Sequence, residues 1–244
     1  MERAVFDRMA EIDAEHWWFA ARREIIAGLI ERQGGLGPDA CILEVGCGTG
    51  SNLGLLQRYG EVDAIEPDEP ARALASARSG IEVKGGLLPD GVALDDGAYD
   101  LIVLLDVLEH IPDDLGTLRA LRPKLAIGGR FLVTVPAAPW MWSSHDSAHH
   151  HQRRYTAASL TRVVEEAGYR IRYRSHFNTV LFPLIAGARL GGKMLKREGG
   201  DDAIPPWPLN GLLKGLFGLE RHLVGRTALP FGVSLALVAE PASR

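Results

Sequence analysis

The chain has 244 residues, 46% apolar and 24% charged, with 27 basic against 31 acidic side chains and a net charge of −4. This near-average composition excludes a disordered, collagenous or disulfide-stapled chain, and the acidic balance leaves no footprint for non-specific nucleic-acid binding. Cys41 and Cys47 form no CxxC pair, the opening stretch is too charged for a secretory apolar region, and no uncharged run reaches the ~18–20 residues of a membrane span, so a cytoplasmic protein is expected.

In chain order, residues 1–38 read as helix, carrying Trp17, Trp18 and Phe19 beside Arg22 and Arg23. That helix either packs onto a sheet or forms a lid over a pocket. Seven β-like runs follow: Cys41–Val45, Glu61–Ile65, Ile81–Lys84, Tyr99–Leu105, Arg130–Val135, Arg170–His176 and Val233–Ala239. Helical patterns lie between them, as in Leu115, Leu118, Leu121 and Leu125, and in Leu160, Val163, Val164 and Ala167 stopped by Gly168. The alternation predicts an α/β domain with a mostly parallel sheet. Residues 177–230 form an insert far longer than a usual α/β connection, rich in Gly, Pro, Leu and Phe, with a basic patch at Lys193, Lys196 and Arg197. The insert reads as a substrate cover, with a dimer face or a patch touching anionic lipid as the other readings. The chain is thus read as one domain: residues 1–38 a helical lid, 39–176 and 231–240 the core, 177–230 the cover.

The sharpest motif is Glu44-Val45-Gly46-Cys47-Gly48-Thr49-Gly50, an apolar strand running into three alternate glycines before Leu53, Leu55 and Leu56 start a helix. Such a turn lets backbone press against a ligand. Twenty residues after Gly46, Glu66 ends the second strand, where a carboxylate can accept both hydroxyls of a ribose. A dinucleotide fingerprint would need glycine where Ser51 stands. Glu44 adds like charge beside a pyrophosphate and suits a ligand with a cationic amino acid end.

With this loop and Glu66, Asp106-Val107-Leu108-Glu109-His110-Ile111-Pro112-Asp113 after the fourth strand and Phe131–Pro136 as the fifth, residues 40–175 resemble the class I S-adenosylmethionine-dependent methyltransferases. The Asp106–Asp113 stretch is similar to the ubiquinone-biosynthesis O-methyltransferases. The resemblance implies a Rossmann-like, doubly wound, seven-stranded sheet with an antiparallel last strand, and S-adenosyl-L-methionine as cofactor. It further implies that Glu44 and the loop Gly46, Cys47, Gly48 and Gly50 hold the methionine moiety and Glu66 the ribose. Pro67 and Leu88 would flank the adenine, while Asp106 and Val107 line the floor beside His110. Lys84–Pro89 lacks the acidic residue many relatives use for the adenine amino group, which leaves that contact to the Leu87 backbone. Arg22 on the lid is expected to meet the cofactor carboxylate.

Methyl transfer to a protonated nucleophile calls for a base, and imidazole near neutral pKa is the natural candidate. The run Ser143–Tyr155 holds His145, His149, His150 and His151 and follows the fifth strand, outside the carboxyl ends of a parallel sheet, where such folds bind ligands. His145 and His149 are expected to be catalytic, with Trp18, Arg153, Arg154 and Tyr155 shaping the acceptor pocket. On a helix, Asp106, Glu109 and His110 would share a face and could hold a divalent ion. The plainer reading makes His110 a cap or a packing residue, and no metal is expected. The expected activity is methyl transfer to a small-molecule or lipid- or sugar-linked acceptor, at oxygen, by a monomer or homodimer with no nucleic-acid partner and at most weak membrane-surface contact. The alternatives are an NAD(P)-dependent oxidoreductase and a non-catalytic S-adenosylmethionine-binding module.

Overall fold

The computed structural model describes residues 3–89, 91–195 and 204–242, apart from the side chains of 3–7, 190 and 192–195. The basic patch at Lys193, Lys196 and Arg197 therefore lies outside the described side chains. Two helices, α1 (Arg3–Ile12) and α2 (Trp17–Leu29), replace the continuous helix expected at the start. The break falls at Asp13–His16, where the His16 side chain accepts the Trp18 N–H as an N-cap. Next come β1 (Cys41–Val45), the single-turn α3 (Leu53–Leu56), β2 (Glu61–Ile65), α4 (Glu69–Ser79), β3 (Tyr99–Leu105), α5 (Asp114–Leu121) and β4 (Leu125–Pro136). The chain continues through α6 (Ser144–Ala148), α7 (Ala157–Glu166), β5 (Tyr169–Phe177), α8 (Phe182–Leu195), α9 (Trp207–Gly218) and β6 (Ser234–Pro241).

One sheet runs in the order β2-β1-β3-β4-β6-β5. β1 to β4 are parallel and β6 is antiparallel to both neighbours, as expected of the last strand. The sheet has six strands rather than seven. Residues 81–84 make a single bridge, Ile65 to Lys84, because Val83 gives its N–H to the Ser76 hydroxyl instead of a strand and Gly85-Gly86 follow at once. Leu125 leaves its expected helical row and opens β4, since Pro123 confines Arg122–Lys124 to one tight turn after α5.

The near-continuous apolar run of β3 reflects burial on both faces. Alternate side chains divide between two cores. Leu43, Ile102, Leu104, Phe131 and Val133 meet Leu118, Leu121, Leu160 and Val164 on one face. On the other, Ile42, Leu101, Val103 and Leu132 meet Ala21, Ile25, Ile26 and Leu29 of α2 and Phe217 of α9. The insert is thereby part of the second core rather than a detached flap. β1, β2 and β3 end on the same side, and the winding reverses between β1 and β3, which opens a crevice there.

Candidate functional site

β1 delivers its chain into three left-handed glycines, Gly46 (φ 70°), Gly48 (φ 56°) and Gly50 (φ 82°). The Gly46 and Cys47 N–H groups donate to the Ile65 carbonyl at 2.8 and 3.1 Å, which fastens the loop to the end of β2. Glu66, 5% exposed, accepts from the Gly48 N–H at 2.8 Å with one oxygen and from the Asp68 N–H at 2.9 Å with the other. Burial raises its pKa, opposed by those two donors. A Cβ on Gly46 would stand 2.7 Å from a Val107 methyl. Gly46→Ala is therefore expected to cost ~1–3 kcal/mol in urea unfolding, whereas Gly54→Ala, with nothing within 4 Å, should be neutral or stabilising.

Behind the loop lies a buried polar chain. Glu44, 1% exposed, accepts from Asn52 Nδ2 at 2.9 Å, and its second oxygen has no hydrogen-bond partner. Burial pushes Glu44 up to about 7. Asn52 also faces Arg22 at 3.5 Å, and Arg22 reaches Thr134 Oγ1 at 3.2 Å and pairs with Asp106 at 2.6 Å. Trp18 lies across the same guanidinium, 5.2 Å from its ring centroid. α2 thus pins its arginine into the floor of the crevice. Asp106 leaves β3 with a left-handed φ of 60°, so Asp106, Glu109 and His110 do not share the helical face expected of them. Only Leu108–His110 forms a turn.

Four imidazoles gather opposite the glycine loop. His110 packs edge-on against His151 at 4.7 Å, and His145 lies 4.1 Å from His149. Their organiser is Asp146, fully buried. Ser143 and Asp146 close a capping box on α6, which turns the carboxylate inward. It meets His151 Nδ1 at 2.9 Å and Arg154 Nε at 2.7 Å. Burial alone would raise its pKa, but the His151 and Arg154 donors hold it well below the usual carboxylate range. Burial, with His151 as neighbour, lowers His110 to about 4. Glu109, also fully enclosed, is raised well above the ordinary range by burial and by the charge of Asp106. Glu109, His110 and His151 bring ligand atoms within 4.8 Å of one another. With one Glu109 oxygen lacking a hydrogen-bond partner and His151 oriented through its other nitrogen, the donor set fits a divalent ion.

These walls enclose a cleft of about 1590 Å³. It brings together Trp18, Arg22, Gly46, Cys47, Gly48, Glu66, Pro67, Leu87, Leu88, Asp106, Val107, His110, His145, His149 and Arg154. Four expected residues do not reach its surface. Glu44 sits behind Asn52. Gly50 faces α4, where a Cβ would come within 3.0 Å of Ala75. Tyr155 is 3% exposed and donates to Asp114 at 2.8 Å, while Arg153 pairs with Asp114 at 2.7 Å. Those two clamp the histidine loop from outside. Asn52, His151 and Arg189 line the cleft without having been singled out for it, and Glu109, considered only as an ion ligand, lines it too. Asn52 had a legible signal, lying two residues beyond the last glycine.

A family model described as a methyltransferase domain matches residues 18–173. A protein of Mycolicibacterium smegmatis named "Probable S-adenosylmethionine-dependent methyltransferase" is 30% identical over 165 residues, covering 64% of this chain and 61% of that protein. A ubiquinone biosynthesis O-methyltransferase of Xanthomonas axonopodis pv. citri is 31% identical over 153 residues, covering 54% of this chain and 61% of the relative. The matched stretch thus spans about three fifths of these curated relatives. Among solved structures, a Haloferax volcanii protein in complex with the Trm112 methyltransferase activator superposes with a TM-score of 0.64 at 16% identity, covering 99% of this chain and 96% of that one. A geranyl diphosphate C-methyltransferase of Streptomyces coelicolor, bound to Mg2+, geranyl diphosphate and S-adenosyl-L-homocysteine, gives 0.57 at 14% identity, covering 88% and 75%. At such identities the two structures establish a shared fold.

Proposed function

The chain belongs to the methyltransferase-domain family, and we propose that it transfers a methyl group from S-adenosyl-L-methionine to a hydroxyl of a small or lipid- or sugar-linked acceptor. The observation that carries this reading is a single cleft with the glycine loop and Glu66 at one end and the Asp146-oriented His151 at the other. The cofactor, when bound, supplies an already activated methyl group on a sulfonium. The protein's task is then to align the partners and exclude water. Glu66 takes the ribose hydroxyls with the lone pairs its two backbone donors leave free. Glu44, through Asn52, places negative charge near the amino acid end, and Arg22 the compensating positive charge. Pro67, Leu87 and Leu88 supply the apolar walls of the adenine site.

At the acceptor end, His151 is the base. Asp146 holds Nδ1 as the proton-bearing nitrogen, which leaves Nε2 to take the hydroxyl proton as the carbon–oxygen bond forms and the carbon–sulfur bond breaks. His145 and His149 flank the acceptor, with Arg154 behind them, and Leu184, Ile185 and Arg189 of α8 cover it. The relatives named as ubiquinone O-methyltransferases support oxygen as the acceptor atom. A second reading, a divalent ion on Glu109, His110 and His151, is favoured by their convergence. Addition of a chelator separates the two, because the metal reading requires loss of turnover and recovery with Mg2+.

Two measurements test the proposal. Methyl-labelled S-adenosylmethionine, incubated with the protein and cell extract as acceptor source, should yield labelled extractable product; no transfer above a protein-free control contradicts it. Glu66→Ala should weaken S-adenosylhomocysteine binding by ~1–3 kcal/mol, the effect of losing a hydrogen bond to a charged group. Unchanged affinity removes Glu66 from the site.

A further inference from the structure

β2 and β5 are the two edges of the sheet, and β5 runs in the same direction as β1 to β4 because β6 is antiparallel to both its neighbours. Glu66 follows β2 and Asn178 follows β5, and both line the cleft. With neighbouring strands ~4.8 Å apart, five spacings set these two ends ~24 Å from each other. The glycine loop, Glu66 and Asp106 stand at the ends of β1, β2 and β3. Asn178 lies three strands beyond Asp106, ~14 Å further along the sheet. It stands at the root of α8, whose Leu184 and Ile185 line the same cleft. That is the acceptor end.

Asn178 is fully buried, and neither its amide oxygen nor its amide nitrogen has a hydrogen-bond partner among the described residues. Buried polar groups are almost always paired, so an amide left open at both ends calls for a reason. Backbone geometry supplies only part of one. Asn178 has a left-handed φ of 57°, which asparagine tolerates better than most residues. Glu220 pins the turn by accepting the Thr179 and Val180 N–H groups at 2.7 and 2.8 Å. Glycine would serve such a turn equally well and bury no amide. What the turn leaves unexplained, the wall explains: the amide belongs to the lining of the cleft. A carboxamide offers a donor and an acceptor side by side. A carboxylate or phosphate answers only the N–H side, and an ammonium only the oxygen. Neighbouring hydroxyls or a second amide answer both, whichever way the Asn178 amide is turned.

We propose that Asn178 binds the methyl acceptor, which carries at its end remote from the cofactor an uncharged donor–acceptor group, vicinal hydroxyls or a carboxamide. The assignment rests on the methyltransferase reading. Rates of transfer from methyl-labelled S-adenosylmethionine, read against a dilution series of heat-treated cell extract, test it. Asn178→Gly should raise the half-saturating extract concentration about tenfold, the effect of two lost neutral hydrogen bonds, and leave the limiting rate nearly unchanged. Asn178→Asp, the same shape without a donor, should saturate as poorly. S-adenosylhomocysteine affinity and the urea midpoint of Asn178→Gly should match wild type, because glycine keeps the left-handed turn. Mass spectrometry of the labelled product then tells a diol from an amide. Asn178→Gly that saturates like wild type overturns the proposal, and so does a product bearing neither group. A urea midpoint well below wild type would give the amide to folding, and weakened S-adenosylhomocysteine binding would give it to the cofactor; either result overturns the assignment. Absence of transfer by the wild-type chain would instead sink the methyltransferase reading, and the assignment with it.

Discussion

Asp146→Ala is expected to lower the unfolding free energy by ~3–5 kcal/mol, the usual result of removing one partner of a buried ion pair. The loss is large because Arg154, its side chain 3% exposed, keeps its charge and is left with the Ala137 carbonyl as its remaining close acceptor. His151 loses its orienting contact and α6 its capping box at the same time. The same carboxylate shapes the acid limb. Its folded pKa is depressed, so its contribution is complete above the unfolded value near ~3.9 and disappears as pH falls through the folded one. His110 acts at higher pH. Its folded value of about 4 lies below the ordinary 6.5, so stability drains between those limits as the unfolded state takes up the proton first. Urea unfolding between neutral and acidic pH checks both. Asp146→Ala should flatten the part below ~pH 4, and an unchanged midpoint at neutral pH would show that the triad is not buried as described.

The second large effect is on turnover. His151→Ala should slow methyl transfer by about 10²–10⁴-fold, the range for a lost general base, while S-adenosylhomocysteine affinity stays within a factor of two or so. His145→Ala should slow it less, since Asp146 aims the His151 ring, not that of His145, as the base. Equal losses for the two would return the role to the histidine cluster as a whole. A loss in His151→Ala matched by a loss of Mg2+ dependence would reassign the residue to the ion.

The fold, and not the spacing, sets the histidines apart. His145, His149 and His151 stand in one short run, and spacing alone cannot say which of them meets a carboxylate. That is decided by the capping box at Ser143, which turns Asp146 inward, and by the left-handed His150 (φ 55°), which swings His151 back over it. Tyr155 and Arg153 were legible as polar groups next to the pocket, yet both reach for Asp114, 41 and 39 positions away in a different helix. Glu44 shows the same limit at shorter range. The glycine motif places it beside the loop, but strand alternation turns it under Asn52 rather than into the cleft. The glycine loop, Glu66 and the parallel core were readable because each rests on a local pattern, whereas the antiparallel last strand came from the family resemblance. The run 81–84 reads as a strand and is not one, because the Val83 amide bonds to a serine side chain in α4, a contact no periodicity reports.

Calorimetry with S-adenosylhomocysteine and with NAD tests the central claim most directly. Glu44 behind Asn52, Arg22 in the floor and serine in place of a third fingerprint glycine predict micromolar binding of S-adenosylhomocysteine and none of NAD. Micromolar binding of NAD, with none of the adenosyl ligand, would contradict the account.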